Sequence, residues 1–185
     1  MIRCKGSQSY ISRGGKKMDN KDYGYEYFSL VQDILDNDEF QKLSDIVHHG
    51  SNRLDHCLRV SYWSYLVSKA LHLDYEKVTR AALLHDFFFE VNEKAKQKDR
   101  ISTLIKHPTY ALENSLKYFE LTEMEQDIIS THMFPINFRI PKFIESWLVD
   151  VIDDVVAIYE KSYIVRKQLS ASMSFLFIVI INYLR

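Results

Sequence analysis

Residues 81–88, Ala-Ala-Leu-Leu-His-Asp-Phe-Phe, run four apolar side chains straight into an adjacent His85–Asp86 pair. An imidazole beside a carboxylate at the end of a buried helix is costly unless something cationic sits between them. Taken alone, such a dipeptide is an ordinary polar helix end. The rest of the chain changes that reading. His56 lies one helix upstream, and His107, His132 and Asp153 follow, each near a helix end or on a helix face that reads as core. Histidines and carboxylates together form a hard-to-borderline donor set for Fe, Mn, Ni, Co, Zn or Mg. Such donors on separate helices, aimed into one bundle, hold a divalent ion and leave positions for water. The ion would bring the pKa of that water towards neutrality and neutralise charge on a phosphoryl oxygen, and two ions about 3.5–4 Å apart would clamp both the attacking and leaving oxygens.

The elements that must position these residues all read as helices. Between Tyr25 and Val47 apolar residues recur at helical spacing, and Asp36-Asn37-Asp38-Glu39 divides the stretch into two helices. His48-His49-Gly50 is expected to end the second of them, with Gly50 as a left-handed cap. Ser51 is the expected N-cap of a helix over 52–71 that carries Arg53 and His56. Asp74 caps the helix that runs to His85-Asp86. Residues 92–100 read as a mildly cationic surface loop. Pro108 is expected at the first position of the next helix, where its missing N–H costs nothing. Thr122-Glu123-Met124-Glu125 is a capping box for a helix ending near His132. A loop over 133–141 leads to a last core helix with Asp150, Asp153 and Asp154 set among apolar residues. No strand or repeat signal is found, so the class is all-α.

Composition sets the outer limits. The chain has 185 residues, 46% hydrophobic and 14% aromatic, with five Gly and three Pro, which fits one helical domain with short connections. Its net charge of −1 gives no footprint for nucleic acid. Two cysteines, Cys4 and Cys57, make no disulfide framework and have no metal-type spacing, so a cytoplasmic location is expected. Residues 1–21 form a basic segment expected to be disordered, and Met18 looks like an alternative start. A main domain over 22–165 is expected to be followed by an apolar C-terminal helix over 166–185. Its run from Phe175 to Ile181 is short of the 18 to 20 residues that cross a bilayer, so it is expected to pack on the domain or form a homodimer contact.

His56, His85-Asp86 and Asp153 resemble the H…HD…D pattern of the HD-domain superfamily of metal-dependent phosphohydrolases, in particular a branch of small bacterial HD proteins. The similarity spans roughly 40–160 and is strongest at His49-Gly50-Ser51, Asp55-His56, Leu83-Leu84-His85-Asp86, residues 107–114 and His132-Met133-Phe134-Pro135. It implies a helical bundle with a metal site in its core. His56, His85, Asp86 and Asp153 would bind one ion. His107 and His132 match, in order and spacing, the two extra histidines that bind a second ion with the HD aspartate bridging. Asp154 competes with Asp153, and aligning Val149 with the family ending selects Asp153. His107 also reads as a helix N-cap, His132 as a helix-end histidine, His49 as a neighbour of the site, and His72 as a structural turn residue.

The implied activity is hydrolysis of a small phosphoester, a nucleotide among the candidates, by metal-activated water. Asp86 is the catalytic carboxylate, with Arg53 and Lys106 expected to orient the phosphate. Two departures narrow this. Phe89 stands where some nucleotide-cleaving members carry a glutamate, and the Gly-Tyr-Pro signature of cyclic-dinucleotide enzymes is missing. Two alternatives share the donor set: a di-iron oxygenase, and a non-catalytic sensor of metal or nucleotide.

Overall fold

The computed structural model describes residues 20–48, 51–89 and 97–183. Among them the chain forms helices α1 (Asn20–Leu35), α2 (Asp38–Gln41), α3 (Arg53–Ala70), α4 (Tyr75–Leu84), α5 (Gln97–Tyr118), α6 (Glu123–Thr131) and α7 (Ile144–Tyr183). A 3-10 turn, Lys42–Asp45, follows α2. The all-α class holds.

Helix α4 is the hub. Val78, Ala81, Ala82, Leu83 and Leu84 are all fully buried, and the helix packs against α1, α3, α6 and α7. With apolar neighbours on every side, its last turn delivers His85 and Asp86 into the interior. Burying each large apolar side chain contributes about 1.5–3 kcal/mol, and Ile34, Phe40, Ile128, Ile129 and Val149 supply such contacts from the surrounding elements.

Capping sets the helix phases. Asn37 accepts from the Glu39 and Phe40 amides, Asp74 from Lys77, and Thr122 with Glu125 closes the expected capping box. At Gly24, φ is +74°, and the kink there breaks α1 near its start. After α3, His72 takes φ +57°. The Leu73 and His72 amides bond back to the Ser68 and Lys69 carbonyls, a Schellman closure. His72 is thus a turn residue.

Four expectations are corrected. The segment before α3 does not end as a helix: Ile46 is extended, and β1 (Val47–His48) pairs antiparallel with β2 (Ser51–Asn52). The β-branched Ile46 and Val47 favour this over a helical end; His49 and Gly50 lie outside the described residues. Asn52, not Ser51, caps α3, accepting from the Asp55 amide at 2.7 Å. Residues Gln97–Arg100 belong to α5, and Pro108 sits inside that helix. Good helix formers upstream carry the helix through, although proline removes one backbone hydrogen bond.

The fourth correction concerns α7. Ile144, Val151, Val155 and Ile158 were expected in the core but are exposed, while Asp150, Asp153 and Glu160 are buried beside Val149 and Val156. The helix turns acids inward, towards the histidines, at the expense of its apolar residues. It continues without interruption to Tyr183. Side chains beyond Val165 lie outside the described residues, as does nearly all of the 1–21 segment.

Candidate metal centre

All six residues selected by sequence as metal donors converge, and all are buried. Helix α3 brings His56 in its first turns and α4 ends on His85-Asp86. Helix α5 contributes His107, α6 ends on His132, and α7 supplies Asp153. The imidazoles form a row, with ring centroids 5.4 Å apart for His56–His85, 4.9 Å for His85–His132 and 4.9 Å for His132–His107.

The two aspartates sit against opposite halves of this row. Asp153 Oδ1 lies 2.9 Å from His56 Nε2 and 3.6 Å from His85 Nε2. Asp86 Oδ1 lies 3.3 Å from His107 Nε2 and 3.8 Å from His132 Nε2. The Nε2 atoms of His107 and His132 approach to 2.9 Å. Two groups have donor atoms close enough to share an ion: His56, His85 and Asp153, and His85, Asp86 and His132.

Helix ends explain the ring orientations. The final carbonyls of an α-helix lack intrahelical donors. His85 Nδ1 meets the Ala82 carbonyl at 2.7 Å and His132 Nδ1 meets that of Ile129 at 2.8 Å. A carbonyl only accepts, so on both rings Nδ1 carries a proton and Nε2 is the nitrogen turned inward, and on His132, whose pKa is lowered, that nitrogen offers a lone pair.

Electrostatics then decide whether a cation fits. Among the described residues, His85 Nε2 and Asp86 Oδ1 are buried without a hydrogen-bond partner, an arrangement that costs about 1–3 kcal/mol per group unless something else satisfies it. Burial pulls the His56 pKa down, but hydrogen bonds to Asp153 and Glu160 outweigh it and raise the value to about 10. Burial also opposes the charge on Asp153 and Asp86. Nearby imidazoles still hold both carboxyls below the usual carboxylate range, with Arg53 adding to the effect on Asp86. His132 is lowered to about 3 by burial and by His107 and His85. One half of the row thus calls for positive charge while the other holds a neutral donor. A divalent ion answers both demands, so the residues present fit a metal.

The other expected residues divide. Arg53 is 2% exposed. Its Nη1 donates to the Phe88 carbonyl at 2.7 Å, its guanidinium lies over the Phe88 ring, and its Nε is 3.9 Å from Asp86 Oδ2. Phe88 in turn stacks on His107. Lys106 is exposed, and the structure does not bring it into the cluster. Asp154 is also exposed, which separates it from Asp153.

Two buried acids, Glu160 and Asp127, escaped the sequence reading of the site's surroundings. Glu160 accepts from His56 Nδ1 at 3.2 Å and from Arg59 Nε at 2.7 Å. Its signal was legible, since seven residues after Asp153 returns to the same helix face. Asp127 accepts from the Lys142 amide and the Ser146 hydroxyl, tying α6 to the approach to α7. Asp150, one turn before Asp153, accepts from the Phe134 amide at 3.2 Å. Burial and Asp154 push its carboxyl up to about 7, against the pull of that amide.

Compared with known proteins, the chain matches the model of the HD domain over residues 53–158. That segment contains all six donors and ends just short of Glu160. Searches of curated proteins and of solved structures return no match.

Proposed function

The chain belongs to the HD-domain family, and on that premise we propose that it is a metal-dependent phosphohydrolase acting on a small phosphoester. The observation that supports this most directly is the pair of unsatisfied buried atoms, His85 Nε2 and Asp86 Oδ1, within a cluster of four imidazoles and two carboxylates. We assign His56, His85, Asp86 and Asp153 to one divalent ion and Asp86, His107 and His132 to a second, with Asp86 between them. Bound there, the metal would supply Lewis acidity and lower the pKa of a coordinated water.

The remaining work falls to the chain. The Nε2 atoms of His85 and His132 are aimed by the Ala82 and Ile129 carbonyls. Arg53 holds its charge near Asp86 and braces Phe88, so we assign it to fixing this wall of the site. Any contact it makes with phosphate would run along that edge. Lys106 is left as a surface cation for drawing in an anionic substrate. Asp150 is a buried acid one turn from Asp153 whose proton is held near neutrality. Phe89 packs on Phe87, so an aromatic fills the position of the nucleotidase glutamate. The substrate class is therefore kept at small phosphoesters, nucleotides among them.

The thiol of Cys57 is free and buried, which fits the reducing cytoplasm we assign. Among the described residues no helix is long and apolar enough to cross a membrane. We also propose a homodimer through the exposed face of α7. The test of function pairs metal content with phosphate release from a phosphoester panel for the wild type, His85→Ala and Asp86→Ala. Both signals should vanish together in the variants. Full turnover in either variant would sink the assignment, and iron-dependent oxygen uptake without phosphate release would replace hydrolysis with oxygenase chemistry.

A further inference from the structure

We propose that Glu160 is a positioning residue that fixes the His56 ring for metal coordination and strengthens its donor nitrogen, while Arg59 only meets the carboxylate's other oxygen. This rests on the metal-site reading above.

Three imidazoles of the cluster, His56, His85 and His132, solve the same problem in two ways. His85 and His132 stand at helix C-termini, where backbone carbonyls are left over, and each gives its Nδ1–H to one. His56 stands in the first turns of α3. There the carbonyls are engaged within the helix rather than left over as at a C-terminus. The acceptor facing its Nδ1 is a side chain from another element, Glu160 of α7, at 3.2 Å. The opposite nitrogen, Nε2, then faces Asp153 Oδ1 at 2.9 Å.

The carboxylate is itself constrained. Its Oε2 takes His56 and its Oε1 takes Arg59 Nε at 2.7 Å. Arg59 lies one turn beyond His56 on α3, so both partners reach Glu160 from one face. Glu160 is 7% exposed, a burial that an acid tolerates only when paired. A carboxylate behind an imidazole makes its other nitrogen more basic than a neutral carbonyl does, and losing such a partner typically weakens metal binding about 10- to 100-fold. His56 would therefore be a stronger donor than His85 or His132, which are backed by carbonyls.

The rival account is a plain strap between α3 and α7, in which Glu160 and Arg59 matter equally and neither touches metal affinity. The experiment titrates Co²⁺ into the full-length chain after chelator treatment, following the visible absorption of the bound ion, with thermal unfolding of each metal-free variant alongside. Glu160→Gln is expected to raise the Kd for Co²⁺ about 10- to 100-fold and to shift the absorption bands. Arg59→Gln, which leaves the Glu160–His56 contact in place, is expected to bind close to wild type. Wild-type affinity in Glu160→Gln, or equal weakening in both variants, would overturn the proposal. Should Glu160→Gln fail to fold, Glu160→Asp draws the same charge back by one methylene and is expected to weaken binding while Arg59→Gln does not. A wild-type chain that takes up no Co²⁺ would refute the underlying metal site, a failure distinct from that of Glu160.

Discussion

His56 faces Asp153 at 2.9 Å and Glu160 at 3.2 Å, and these contacts shape how the metal-free protein responds to pH. The His56 pKa is raised to about 10 in the fold. A base raised on folding contributes its stability fully below the unfolded value, near 6.5, and loses it as pH climbs towards 10. Asp153 and Glu160 are lowered, so they stabilise above their unfolded values and lose that contribution as pH falls. Chelator-treated protein should therefore be most stable between about pH 4.5 and 6.5, as read by thermal unfolding. Metal uptake must displace the His56 proton, so affinity should rise with pH. A metal-free melting temperature that climbs from pH 6.5 to 9 would contradict this assignment of charge.

At the level of elements, the caps at Asp74 and Thr122 were legible because their signals are local. Thr122→Ala should cost about 1 kcal/mol, lowering the melting temperature by roughly 2–4 °C for a domain of this size, without changing metal affinity. Asp127→Ala removes the acceptor for the Lys142 amide and the Ser146 hydroxyl. It should cost about 2–4 kcal/mol, and an unchanged unfolding midpoint would show that this tie is dispensable. His85-Asp86 and His132 were readable for a related reason, since each lies where an apolar helix stops. What could not be read was set by partners remote in sequence. Pro108 looked like a helix start because the helix-forming residues before it were counted as loop. On α7 the apolar residues outnumber the acids, and it is partners on α3 and α4, His56, His85 and Arg59, that account for Asp153 and Glu160 turning inward.

Across the whole molecule, that inversion leaves Val151, Val155, Ile158 and Val165 exposed. Together with Leu148 and Ser162 they follow the alternating three- and four-residue spacing of a helix–helix seam. We predict concentration-dependent self-association by sedimentation, abolished by Ile158→Glu with metal affinity retained; a wild type that stays monomeric at high concentration would refute it. The same long helix would then join the dimer seam on one side to Asp153 and Glu160 on the other.

Elemental analysis of anaerobically purified protein tests most directly the proposal that two carboxylates and four imidazoles hold metal inside the helical bundle. About two divalent ions per chain are expected, with His107→Ala and His132→Ala each losing the second and His85→Ala losing both. Protein that is folded, yet holds no metal after resupply with iron, manganese, nickel, cobalt or zinc, would contradict it.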